Sequence, residues 1–207
     1  MNSVITKAAA AFGLMGALYF AAGTTSYAGV ENATFATVGD ETSTPFGWVD
    51  FCQRYAGECQ DDDRTPTSVD LTPANFNKLK QVNSWVNEHV KPVSDMEHWG
   101  VVDRWDYPTD GKGDCEDYAL LKRHMLMEAG FPRQALLITV VKEHNGDGHA
   151  ILTVKTNHGE YVLDNLSDRI KPWNAAPYRF VKRQSQQNQN TWVILGPPTT
   201  DPMYVSK

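Results

Sequence analysis

The sequence predicts an α+β domain, with helices leading into a set of antiparallel strands, and three observations carry that expectation. From Phe76 to Val90 the apolar residues Phe76, Leu79, Val82, Val86 and Val90 recur at steps of three and four, the period of a helix with one buried face. The stretch GDCEDYALLKRHMLMEAGF, from Gly113 to Phe131, carries the end signals of a second helix. Beyond Pro132 the pattern changes to ALLITVV, HAILTVKT and EYVLDNL, short strand-like runs separated by the turn formers HNGDG and NHG. Helices followed by hairpin-linked strands point to a sheet with helices packed against it.

Before these elements, Lys7 is followed by the small and apolar run AAAAFGLMGALYFAAG and then by SYA at Ser26 to Ala28, the layout of a secretory signal peptide. The run is too short and too rich in Ala and Gly to read as a membrane span. Residues 1–28 are therefore assigned to the signal segment, which predicts a periplasmic or secreted protein. Residues 29–45, rich in Thr, Gly, Ala and Ser, read as a flexible leader, and residues 46–207 as one domain. Removing Lys7, the only charge in the signal segment, takes 19 basic residues to 18 against 25 acidic ones, a formal charge of −7. That balance argues against a nucleic-acid partner.

Three cysteines in an exported chain leave one over. Cys52 and Cys59, in FCQRYAGEC, stand close enough for a small disulfide loop in an oxidising compartment. Cys115 is then the free thiol. The helix after this loop starts with Thr72 as N-cap and Pro73 in its first turn, and Pro92 stops it. Residues 93–114, dense in Asp, Gly, Pro and Trp, read as a loop. The second helix starts at Asp114, has acids in its first turn and Lys122, Arg123 and His124 later, and stops at Gly130. After the three strands, TWVIL from Thr191 adds a further strand candidate, and QSQQNQN at 184–190 reads as a polar surface turn.

This order puts Cys115 at a helix N-terminus, where backbone N–H groups and the helix dipole favour thiolate, the reactive form. The carboxylates of Asp114, Glu116 and Asp117 oppose that, so an imidazolium partner is needed. His124 lies nine residues along the same helix, roughly 13 Å away, and cannot serve. His89 and His98 precede the helix, and His158 falls in a turn. His144 and His149 flank the Gly-rich turn, and His149, opening an apolar strand, is the favoured base. Asp164 on the next strand is the favoured orienter, with Asp147 and Asp168 as competing carboxylates. A direct cross-strand pair of His149 and Asp164 calls for a four-residue loop, Lys155 to His158; a tight turn at Asn157 and His158 would offset them by two positions, roughly 7 Å. The oxyanion donors would be the Cys115 N–H and one further group, for which Trp99 and Trp105 are candidates by nearness in sequence.

GDCEDYA, GHAILTV and YVLDNL, in this order and with the FCQRY segment, resemble the bacterial transglutaminase-like cysteine peptidase family over roughly Phe46 to Trp173. The resemblance implies a papain/transglutaminase-like fold, with Cys115 as nucleophile, His149 as general base and Asp164 as orienter of a cysteine endopeptidase. In the family's LapG-type members, periplasmic proteases that release large surface adhesins, carboxylates beside the cysteine bind Ca²⁺. The matching positions are Asp114 and Glu116, with Asp117 a further candidate. Such hard oxygen donors suit Ca²⁺, but three acids cannot fill six to eight positions, so loop carbonyls or Asp103, Asp106 and Asp110 would have to contribute. A zinc site lacks a suitably spaced Cys and His set. The resemblance also implies a protein substrate, a large surface adhesin among the choices, and a regulatory inner-membrane protein as partner; the chain itself is expected to be a monomer. Two other readings share the same residues: a transglutaminase-type acyl transferase forming isopeptide bonds, and an inert calcium-binding module.

Overall fold

A computed structural model describes residues 34–60 and 63–196. The signal segment lies outside these residues. Among them, no helix is long and apolar enough to cross a membrane.

The segment read as a leader contains an edge strand, β1 (Val38–Thr42), and the helix α1 (Phe46–Arg54) follows it. α1 and the short 3₁₀ turn Ala56–Cys59 replace the plain loop expected around FCQRYAGEC. The expected Cys52–Cys59 disulfide is present, with Cα atoms 5.4 Å apart, and Cys115 is the free, buried thiol. Helix α2 (Pro73–His89) starts as predicted: the Thr72 hydroxyl accepts the Asn75 N–H at 3.1 Å. Residues 91–113 form the two-residue strands β2 (Lys91–Pro92) and β3 (Lys112–Gly113) around the single turn α3 (Asp95–His98). Helix α4 (Cys115–Glu128) ends at Gly130, whose φ of +88° is the left-handed value that glycine adopts at a helix stop.

Six further strands follow: β4 (Leu136–Lys142), β5 (Gly148–Thr156), β6 (Gly159–Asp164), β7 (Ser167–Pro172), β8 (Arg179–Gln184) and β9 (Trp192–Leu195). With β1 they make one antiparallel sheet in the order β1-β9-β8-β4-β5-β6-β7. The alternation of strand side chains divides the core. Leu152, Val154 and Leu163 meet α2 and α4 through Leu79, Val82, Val86 and Leu126. Ile151, Val162 and Phe180 meet Ala36 and Leu195 in a separate cluster. A third cluster packs Trp48 and Phe51 of α1 against Trp105, Leu120, Ile138, Ala150 and Cys115.

Two expectations for this region fail. The β5–β6 hairpin turns tightly at Asn157 and His158, since Thr156 pairs with Gly159. And the glutamine-rich segment is no surface turn throughout: Gln184 and Gln189 are buried, Gln184 accepts the Ile138 N–H at 3.0 Å and Gln189 accepts from Arg123 at 2.6 Å. A buried amide serves where backbone and guanidinium groups need partners away from water.

Candidate active site

Helix α4 delivers Cys115 as its first residue, because Asp114, extended and next after β3, stands at the N-cap and opens the helix. The residue is 2% exposed. Its sulfur accepts the Ala150 N–H at 3.4 Å and donates to Glu116 Oε2 at 3.1 Å. His149, the residue before Ala150, is fully buried on β5. Its Nε2 lies 3.0 Å from Asp164 Oδ1. The tight hairpin does not prevent this contact. The β5–β6 ladder ends at Leu152 and Leu163, so His149 and Asp164 stand beyond it, on the same face by parity, and meet as diagonal neighbours.

Asp164 is held on every side. Its Oδ1 also accepts the Leu166 N–H at 3.0 Å, its Oδ2 accepts the Tyr178 hydroxyl at 2.5 Å, and its carbonyl accepts Asn87 Nδ2 at 3.0 Å. Burial pushes its pKa up, but the bonds from His149, Tyr178 and Leu166 outweigh that and hold it below the usual carboxylate range. For His149, burial alone lowers the pKa. The bond to Asp164, with the hydrogen bonding and charge of Cys115, overrides it and lifts the imidazole from 6.5 to about 9. Nδ1 makes no hydrogen bond of regular geometry among the described residues, although the thiol acts on the ring, so the sulfur side of the pair is the looser one.

The other candidates are occupied elsewhere. Asp168 accepts from Asn87, and Asp147 from Asn145. His98 pairs with Asp110, His124 faces Glu58 and Glu128, and His89 meets the Trp85 carbonyl. Trp105 is buried with its Nε1 donating to Asp103 at 2.9 Å, which removes it as an oxyanion donor. Trp99 is 42% exposed and lies against His98 and Arg104.

Beside the thiol, carboxylates from three segments converge. Oxygens of Asp95, Asp103 and Glu116 lie within 4.8 Å of one another, as do those of Asp95, Asp114 and Asp117. Asp114 Oδ2 accepts the Asp95 N–H at 3.2 Å and Asp117 Oδ1 the Asp106 N–H at 2.7 Å, while Asp95 accepts a short bond from the Arg104 N–H. Of the predicted helpers only Asp103 joins. Asp106 turns its carboxylate to Arg54 at 2.8 Å and to Arg104 and Tyr55, and Asp110 is an exposed partner of His98 and Lys112. Cations in reach neutralise those two acids, so they are not drawn into the cluster.

A family model described as bacterial transglutaminase-like cysteine proteinase (BTLCP) matches residues 38–200. The chain belongs to this family. It is accordingly a cysteine peptidase of the transglutaminase-like superfamily. The fold is similar to that of calcium-bound Legionella pneumophila LapG, with a TM-score of 0.51 at 23% identity over 74% of this chain and 92% of that one. A second structure of Legionella pneumophila LapG gives 0.49 at 26% identity over 60% and 71%. No curated protein matches the chain.

In this BTLCP proteinase the acid cluster fits a hard divalent cation. Burial raises Asp95 to about 7, with Asp114 adding to it, and raises Asp103 to about 6; burial likewise pushes Glu116 and Asp117 well above the usual range. Glu116 Oε1 is buried without a hydrogen-bond partner among the described residues. A Cβ on Gly113 would sit 2.5 Å from Asp117 Oδ2, so the strand leaves room there for a carboxylate and nothing more. The two groups of carboxylates share Asp95, and carboxylate oxygens are donors of the kind that Ca²⁺ takes. Sequence reading missed Asp95, although Ser94 and Glu97 around it form a capping signature in which Ser94 Oγ accepts the Glu97 N–H. It also missed Lys122, two helical turns from Cys115, whose buried amine is pulled down to about 7 by burial against the opposing charges of Asp164 and Asp168. Tyr178 offered no local signal at all.

Proposed function

We propose that the protein is an exported cysteine endopeptidase in which Cys115 is the nucleophile, His149 the acid and base, and Asp164 the orienter. The observation that carries this reading is the 3.0 Å contact of His149 Nε2 with Asp164 Oδ1, on a ring whose charged form the neighbouring thiol also favours. The imidazolium stabilises the thiolate form of Cys115 at the mouth of α4. The thiolate attacks the peptide carbonyl carbon, and the negative oxygen collects under the Cys115 N–H, a donor that the first turn of a helix leaves without an intrahelical partner. His149 passes its proton to the leaving amine as the C–N bond breaks, leaving a thioester. It then takes a proton from water, whose oxygen attacks the thioester carbon, and the tetrahedral intermediate releases the carboxylic acid and the thiolate. Asp164 keeps the ring aligned and its charge compensated throughout.

Asp95, Asp103, Asp114, Glu116 and Asp117 would hold Ca²⁺, which when bound neutralises the repulsion among carboxylates next to the sulfur. The activity is thereby calcium-dependent. The signal segment at 1–28 sends the domain, whose sheet includes β1 from Val38, to the periplasm or beyond. Its substrate is a surface or periplasmic protein such as a large adhesin, and an inner-membrane protein regulates it; these two assignments rest on the family resemblance.

With Cys52 and Cys59 in a disulfide, a thiol-reactive acyl electrophile reports on Cys115 alone. In the chain from Gly29 onward, His149→Ala should slow this labelling by at least about tenfold. Equal labelling in that variant would overturn the triad. Incorporation of a primary amine into a glutamine substrate faster than hydrolysis would make the protein a transferase instead.

A further inference from the structure

We infer that Tyr178 is a positioning residue for the proteinase reaction, its phenol locking the Asp164 carboxylate so that only Oδ1 faces His149. The inference rests on the reading of Cys115, His149 and Asp164 given above. A carboxylate has two equivalent oxygens, and rotation about its last bond would present either one to the imidazole. Here the two are made inequivalent. Oδ2 takes the Tyr178 hydroxyl at 2.5 Å, and Oδ1 takes the Leu166 N–H and His149 Nε2, both at 3.0 Å. Three donors from three parts of the chain therefore define one plane for the group.

Tyr178 touches the other member of the pair as well, its ring lying 5.4 Å from the imidazole at an angle of 52°. The sheet order explains how a residue so far along the chain arrives there. β7 and β8 are consecutive in sequence, yet β6, β5 and β4 lie between them, so the connection at 173–178 has to cross the sheet from one side of the site to the other. The tyrosine side chain hangs from the end of that crossing, where a turn bonded from the Tyr178 N–H to the Ala176 carbonyl sets its direction. Asp164 meets charge from β5 through His149 and from α4 through Lys122, and the phenol is the neutral donor among them. It stabilises the carboxylate without competing for the proton, which stays on the imidazole.

The test compares Tyr178→Phe, which keeps the ring and loses the donor, with wild type, His149→Ala and Asp164→Asn. Two quantities are measured at pH 7: the rate of iodoacetamide alkylation of Cys115, and the downfield ¹H resonance of the His149 Nε2–H. Tyr178→Phe should stay folded, shift or broaden that resonance, and lower the alkylation rate about tenfold, the scale of one lost hydrogen bond to a charged group. A 3-fluorotyrosine placed at 178, a stronger donor of nearly the same shape, should also move the resonance, which separates the donor's role from any loss of packing. An unmoved resonance and an unchanged rate in both variants, with Asp164→Asn impaired, would overturn the role of Tyr178 and leave the triad standing. Wild-type reactivity in His149→Ala and Asp164→Asn would bring down the triad itself, and this inference with it.

Discussion

His149 has no solvent-exposed surface, yet its surroundings favour the charged ring, and that combination has a consequence for stability. An unfolded imidazole titrates near 6.5 and the folded one at about 9. Between these values the folded protein holds a proton that the unfolded chain has lost, so the stabilisation is fully present below pH 6.5 and is lost as the pH rises through 9. Lys122 acts in the opposite sense: its folded pKa of about 7 lies below the unfolded 10.5, so stability tied to its neutral form grows as the pH rises over that span. The contribution of His149 is therefore read as a difference. The stability of wild type relative to His149→Gln, from denaturant titrations, should shrink steadily between pH 6.5 and 9. A difference that stays constant over that window would show that the imidazole is not held charged.

At the level of elements, the mouth of α4 is shared by two sites. β3 feeds into the helix through Gly113 and Asp114, so the strand that shapes the acid cluster also places the thiol. Gly113→Ala would drive a methyl group to within 2.5 Å of Asp117 Oδ2, and neither the helix nor the strand can retreat freely. The expected result is a loss of about 1–3 kcal/mol of stability, the usual cost of overpacking. It should come with a smaller rise in melting temperature on adding calcium than wild type shows. A variant that gains as much from calcium as wild type would show that Asp117 is not a ligand. The β5–β6 hairpin teaches a second lesson at this scale. Index arithmetic along a ladder holds only while the ladder lasts, and both His149 and Asp164 lie past its final pair.

For the molecule as a whole, the acid cluster joins α3, the loop at 103 and α4. Calcium bound only by the folded state should raise the stability by about 2.7 kcal/mol at a concentration one hundred times its dissociation constant. Thermal unfolding in calcium and in chelator measures this, and Glu116→Gln or Asp95→Asn should reduce the gap. Identical melting under both conditions would remove the calcium reading while leaving the thiol chemistry untouched.

Much of this was readable from the chain. Apolar spacing from Phe76 to Val90 with the Thr72 cap, the stop at Gly130, the cysteine arithmetic that leaves Cys115 free, and the strand pattern after Pro132 are local or compositional, and short-range sterics and hydrogen bonding enforce them wherever the chain goes. Cys115, His149 and Asp164 could be nominated for the same reason, each being marked by the element that carries it. Which partners meet is another matter. Asp95 enters the acid cluster, Asp106 leaves it for Arg54, Gln184 and Gln189 turn inward, and Tyr178 reaches Asp164, because a crossing between non-adjacent strands and the packing of loops bring distant residues together. Those meetings depend on positions in space that no period or motif encodes, and only the folded sheet with its helices supplies them.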